Sequence, residues 1–238
     1  MTIGAITTNS KSDGKGNWAD GWNPNSDGFY FVDQTGKMST SYYNVPVWQI
    51  EEDENWEGCE SGWYITGDDD YICQNDIAQL PLGEGFVIKS SSAAEGKNPT
   101  IIFNGQVKKE PKDVPVTKFI MCGNCSPKPI KLGAITTNSE SDGKANWTNG
   151  WNPSSDGLYF VDETGKMSAS YYNVPVWQIE EDENWEGCES GWYITGDDDY
   201  ICQNNLITID PGTGFVIKSS SYAEGKEPTI IIPSALEK

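Results

Sequence analysis

The chain contains no histidine and no arginine. All 16 basic residues are lysine, set against 36 acids, for a net charge of −20. Without imidazole the usual base of Ser and Cys nucleophiles is missing, which removes most acyl-transfer and hydrolytic triads. Zinc loses its commonest nitrogen ligand for the same reason. The acidic excess repels phosphate, so neither nucleic acid nor an anionic membrane surface is an expected partner. No apolar run approaches the roughly 20 residues of a membrane-spanning helix, and membrane insertion is not expected. Nor does any segment keep apolar residues at helical spacing for three turns.

One stretch, in contrast, is written twice. Residues 3–103 align with 132–232 without a gap at an offset of 129, and 81 of the 101 pairs are identical. Ser41–Asn75 recurs unchanged as Ser170–Asn204, whereas eight of the 20 differences fall between Asp76 and Glu84. Such a chain is a tandem array of two similar modules, each of about the length of a small domain. The boundaries read as a first β module over 1–104, an extended, solvated connector over 105–115 that includes Lys108-Lys-Glu-Pro-Lys-Asp113, and a second module over 116–238. Residues 116–122 read as an extra lead-in strand of the second module. If the first module lacks that strand, it exposes a sheet edge. Met1-Thr2 enters the first repeat directly, without a signal peptide, as in a mature chain or a fragment of a longer secreted protein.

Within a module, short β-branched and aromatic runs alternate with Gly, Asn, Asp and Pro. Gly28–Val32 and Met38–Asn44 flank a hairpin turn at Asp33–Gly36. Val45–Ile50 reads as a strand bent or edged by Pro46. Gly62–Thr66 and Tyr71–Gln74 flank a second turn at Gly67–Asp70, and Gly85–Lys89 and Thr100–Phe103 complete the set. The expected fold is therefore all-β, with two near-identical antiparallel sandwich or partly closed barrel modules in tandem.

Four of the six cysteines obey the repeat. Cys59 and Cys73 recur as Cys188 and Cys202, which suggests one disulfide per module. Cys122 and Cys125 lie outside the repeat; they have CxxC spacing, but no βαβ pattern surrounds them, and a bond between the two is the natural expectation. Disulfides point to an oxidising, extracellular setting.

The series Phe31-Val-Asp-Gln-Thr-Gly-Lys-Met, Tyr42-Tyr43, Gly62-Trp63 and Gly83-Glu-Gly-Phe-Val-Ile resembles the repeated β-rich modules of large bacterial secreted and surface proteins. The lead-in Gly123-Asn-Cys-Ser-Pro127 is similar too. The resemblance covers nearly all of both copies. It implies secretion or surface display and carries no catalytic residue.

Three constellations could carry chemistry. Carboxylates crowd at Glu51–Glu60 and at the turn Asp68-Asp69-Asp70, repeated as Asp197-Asp198-Asp199. Such oxygens suit calcium, although the spacing completes no known loop pattern, and a solvated acidic rim is the plainer reading. Trp18, Trp22 and Trp56, with their counterparts Trp147, Trp151 and Trp185, lie in Gly/Asn/Asp-rich or acidic stretches. Exposed rings beside amides and acids are suited to stacking on sugars, while the alternative is that they cover a small core. Trp48 and Trp63 sit in strand-like runs and read as core. Two carboxylates could serve a glycosidase, but no pair is distinguished, so the chain is not expected to be an enzyme. The sequence favours a non-catalytic extracellular binding module, with polysaccharide or glycan as the ligand engaged by both copies. A structural or adhesive unit that self-associates through β-edges is the alternative, with a glycoside-active enzyme as a minor third.

Overall fold

The computed structural model describes residues 2–33, 35–51, 58–80, 85–103, 111–124, 126–144, 146–180 and 187–233. The chain divides into two compact units. The first holds Met1–Phe31, Met38–Pro81 and Phe86–Gln106; the second holds Val107–Lys238 together with Val32–Lys37 and Leu82–Gly85. Every sheet is antiparallel, and among the described residues none closes into a barrel.

The first repeat centres on a four-stranded sheet in the order Gly62–Ile65, Tyr42–Val45, Gly28–Phe31 and Phe86–Lys89. Ile6–Thr8 pairs separately with Ile101–Phe103. The core between them is Ile3, Ile6, Trp22, Phe29, Trp63, Ala78 and Leu80. Aromatics dominate it: Phe29 stacks on Phe86 at 4.5 Å and meets Trp63 edge-on at 5.7 Å. The Trp63 indole N–H donates to the Ile6 carbonyl at 2.9 Å, so this buried ring also satisfies its one polar group.

The second repeat reproduces this sheet with a fifth strand. Its order is Phe119–Gly123, Gly214–Lys218, Gly157–Phe160, Tyr171–Val174 and Gly191–Ile194. The counterpart of the smaller pair also gains a strand, because Lys112–Pro115 pairs with Thr229–Ile232 beside Thr136–Thr137. The lead-in thus adds two strands, and its Val114, Val116 and Cys122 are buried in the second core. Burying the two valines contributes about 2 kcal/mol each. The connector consequently ends earlier than the charge run implied. Residues 112–115 belong to the second fold as a strand, because Val114 and Val116 drive that segment onto an apolar surface.

Three strand expectations are revised. Val45–Ile50 is extended only as far as Val45; Pro46 sits at the N-cap of a helical turn, Val47–Ile50, which is repeated at Val176–Ile179. A residue without an N–H is well placed to open such a turn. Trp48 and Trp177 therefore lie half-buried on helical turns and not on strands. Tyr71–Gln74 forms no strand. Asp68 side-chain oxygens accept the N–H groups of Asp70 (3.2 Å) and Ile72 (3.3 Å), and Tyr71 takes φ of 48°, which breaks the extended run. The strand expected from Met38 begins at Tyr42.

The loop between Gly21 and Gly28 is closed by a buried aspartate. Asp27 is 2% exposed, and its side chain accepts from the Asn23 N–H at 2.8 Å, the Ser90 hydroxyl at 3.0 Å, the Ser92 N–H at 3.0 Å and the Ser92 hydroxyl. Asp156 does the same for Asn152, Ser220 and Ser221. Asn9 ties the other end of the loop, accepting from the Trp22 and Thr100 N–H groups. Gly21 is required there: its φ is +74°, and a Cβ would meet the Asn9 backbone. Replacing Asp27 and Asp156 together by Asn should cost about 3 kcal/mol per repeat in denaturant unfolding, because an amide nitrogen would face fixed N–H donors. A loss below about 1 kcal/mol, the ordinary worth of a single hydrogen bond, would show that these side chains do not hold the loop.

Candidate functional site

Of the six tryptophans expected to stack on a sugar, two are withdrawn. Trp22 and Trp151 are 1% and 0% exposed, and each packs edge-on against a second buried indole, Trp63 at 5.8 Å and Trp192 at 5.6 Å. Their Gly/Asn/Asp-rich surroundings suggested a solvent-facing loop. The Asp27 and Asn9 hydrogen bonds instead fold that loop inward and turn the ring into core. Trp18 and Trp147 are half-buried on the short strands Trp18–Asp20 and Trp147–Asn149. A lysine lies over each ring, Lys97 Nζ at 5.6 Å from Trp18 and Lys226 Nζ at 5.5 Å from Trp147. Lys97 is anchored there by donating to the Ala19 carbonyl at 2.9 Å. A cation held in this way occupies one face that a sugar would need. Trp56 and Trp185 lie outside the described residues.

The acidic turns are used by the fold itself. Asp68 and Asp197 cap their own loops, as described for Asp68, while Asp69, Asp70, Asp198 and Asp199 face solvent. Among the described residues no three His, Cys, Asp or Glu side chains converge as a metal would require. The calcium expectation thus acquires no ligand set there; Glu52–Glu57 and Glu181–Glu186 fall outside the described residues.

Both intra-repeat disulfides are present. Cys59–Cys73 and Cys188–Cys202 have Cα separations of 5.9 and 5.8 Å, within the usual span of the bond. Each is seated by a buried tyrosine and an asparagine. The Cys59 N–H donates to the Tyr64 hydroxyl at 2.8 Å, and Asn75 accepts the Trp63 N–H while donating to the Ser61 carbonyl. A Cβ on Gly62 would meet Cys59 Sγ and Asn75 Oδ1, so only glycine lets the three segments approach. Cys122 is buried on the lead-in strand; its expected partner, Cys125, lies outside the described residues.

A shallow cleft of about 230 Å³ opens beside this cluster in the first repeat, lined by Thr7, Thr8, Asn44, Pro46, Trp63 and Asn75 among others. It is smaller than typical small-molecule sites, which run from roughly 300 Å³ upward. Its polar groups also face one another: Thr8 Oγ1 donates to Asn44 Oδ1 at 2.8 Å, and Asn75 is committed as above. Among the described residues, the acids whose pKa is shifted are elsewhere, in exposed turns. The Thr35 hydroxyl and the Lys37 N–H hold Asp33 below its ordinary carboxyl value, and the Lys15 N–H with the Asn17 amide does so for Asp13. Asp162 and Asp142 repeat the pattern through Thr164 and Asn146. Burial pushes the Tyr43 and Tyr172 hydroxyls up, away from neutrality.

No protein-family model, curated protein or solved structure matches the chain. What sequence reasoning left open is the feature that most distinguishes the two repeats. In the second, Phe215, Val216 and Ile217 are buried, Ile231 is half-buried and Ile232 is 6% exposed, under the lead-in. In the first, Ile88, Ile102 and Phe103, the counterparts of Ile217, Ile231 and Ile232, are 41%, 50% and 42% exposed, and Phe86 and Val87 are half-buried. Phe86–Lys89 and Ile101–Phe103 each have one strand partner among the described residues and end their sheets. An identical Phe-Val-Ile-Lys strand is thus paired with the lead-in along its length in the second repeat, whereas in the first its Ile88 is exposed and, among the described residues, the lead-in reaches only its amino end, where the Gly85 N–H donates to the Met121 carbonyl.

Two measurements check this geometry. Non-reducing peptide mapping should link Cys59 to Cys73 and Cys188 to Cys202; a Cys59–Cys188 link would overturn the pairing. Replacing one pair by serine should lower stability by about 3 kcal/mol, the closure term for a loop of this length. Carboxyl-carbon NMR should find Asp13, Asp33, Asp142 and Asp162 titrating below 3.8. Since a folded-state pKa is lowered, the stability each turn gains is present above the unfolded value and lost as pH falls through the folded one. Midpoints at or above 3.8 would mean that the turns do not favour the ionised form.

Proposed function

We propose that the chain is a non-catalytic structural or adhesive unit of an extracellular or surface protein, joining its neighbours by β-edge pairing. A single observation carries this reading: among the described residues, Ile88, Ile102 and Phe103 on the two edge strands of the first repeat are exposed, whereas their counterparts in the second lie under the lead-in. Open edges of this kind are suited to accepting a strand, and proteins that do not use them usually blunt them. The intra-repeat disulfides fit an oxidising compartment. Among the described residues no helix is long and apolar enough to cross a membrane. The likeness to secreted bacterial repeat modules points the same way. Carbohydrate binding loses two of its six rings to the core and is not carried further.

The test has two arms. Hydrogen exchange on the intact chain should be much faster at Phe86–Lys89 and Ile101–Phe103 than at Phe215–Lys218 and Ile230–Ile232, and equal protection would mean that the edges are not available. A glycan array, with and without calcium, should show no binding. Retention on a glycan that is lost in Trp18→Ala with Trp147→Ala would replace the structural reading by a carbohydrate-binding one.

A further inference from the structure

The two repeats differ in the residue that precedes a buried glycine. In the first, Asp20 stands before Gly21; in the second, Asn149 stands before Gly150. An asparagine followed by glycine is open to attack by its own backbone, because no side chain shields the next nitrogen from the amide carbon. Asn-Gly occurs twice in the chain, and the other instance, Asn104-Gly105, lies outside the described residues. At Asn149 neither reacting group is held. Its half-buried side-chain amide makes no hydrogen bond among the described residues, and neither does the Gly150 N–H. Other asparagines of the same unit are tied. Asn124, Asn138 and Asn204 each have both amide atoms in hydrogen bonds.

We infer that Asn149 is a site of spontaneous deamidation, a slow and irreversible change of charge at a position where the first repeat already carries the acid. The Gly150 nitrogen gives up its proton and bonds to Asn149 Cγ, the Cγ–Nδ2 bond breaks, and ammonia leaves. Water then opens the cyclic imide at one carbonyl or the other, giving aspartate or isoaspartate. Either product disturbs the strand pair. Asn149 lies opposite Glu140, whereas Asp20 lies opposite Lys11, with Lys11 Nζ 4.0 Å from the Asp20 carboxylate. Aspartate at this position therefore faces a like charge where the first repeat has an ion pair. Isoaspartate adds a carbon to the backbone just ahead of Gly150, whose φ is +72° and which packs so closely that a Cβ would meet the Asn138 carbonyl. Shifting Gly150 disturbs the next bond along, in which Asn138 Oδ1 accepts the Trp151 N–H at 3.2 Å. The second repeat thus carries a timer that loosens the seat of Trp151 as the protein ages.

The test incubates the intact, folded chain in mildly alkaline buffer and maps its peptides by mass spectrometry that separates aspartate from isoaspartate. Residue 149 should convert to both products at a rate within about tenfold of a free peptide of residues 146–152, since no hydrogen bond has to open first. Asn138 and Asn204 should keep their amides over the same period. The variant Asn149→Gln, in which ring closure is slower, should stay intact there. For the consequence, Asn149→Asp should speed hydrogen exchange at Trp147–Asn149 and Trp151 by about tenfold. Adding Glu140→Lys, which recreates the charges of Lys11 and Asp20, should restore the slower exchange. An intact Asn149 in the folded chain, while the peptide converts, would mean that the fold protects the amide and would overturn the site. Equal exchange in Asn149→Asp and the parent chain would overturn the timer.

Discussion

Each repeat is organised around one indole. Trp63, like Trp192, is fully buried, and four separate parts of the chain are fixed by reference to it. Its N–H holds the Ile6 carbonyl and thereby the amino-terminal strand. Its faces and edges receive Phe29 from the central strand and Trp22 from the Gly21–Gly28 loop. Its backbone N–H is taken by Asn75, and its carbonyl receives the Gln74 N–H, which brings the disulfide loop back to the sheet. A module of about 100 residues with many short strands has few ways to specify register, and a large buried ring with one satisfied polar group provides one.

The buried hydrogen-bond pins follow from that arrangement. Bringing Trp22 onto Trp63 drags a polar loop over the core, where its backbone groups leave water and require partners. Asp27 and Asn9 supply them, and their counterparts Asp156 and Asn138 do the same in the second repeat. Side chains that looked suited to sugar recognition are therefore absorbed in closing the loop. The same reasoning applies to Asp68, whose oxygens are occupied by two backbone N–H groups of its own turn.

The two repeats form a natural experiment in edge coverage. Their central residues are identical, yet the second core gains Val114, Val116 and Cys122 from a segment outside the repeat. The first repeat carries larger side chains at two nearby positions, Phe29 for Leu158 and Phe103 for Ile232. Those rings thicken its core without covering Ile88 or Ile102. Edge strands are usually shielded because unpaired N–H and C=O rows attract other strands. Apolar side chains exposed on the edge strands of one copy and lying under the lead-in in the other are the property on which the proposed assembly role depends.

The sequence by itself determined the tandem architecture, the all-β class, the two intra-repeat disulfides and a lead-in strand in the second module. These depend on local or internally repeated signals: period-two runs, turn residues and cysteines that recur at a fixed offset. Several features were decided only by tertiary structure. Val45–Ile50 leaves the sheet at Pro46 because its pairing with Gly62 ends there. Residues 112–115 leave the solvated connector because Ile230 and its neighbours provide an apolar surface for Val114. Trp22 and Trp18 occur in similar Gly- and Asn-rich surroundings. One is core and the other half-exposed, because Asp27 and Asn9, bonded to Ser92 and Thr100 far along the chain, close only the first over Trp63. Burial is set by contacts between segments distant in sequence, and a local pattern of residue types does not encode which segments meet.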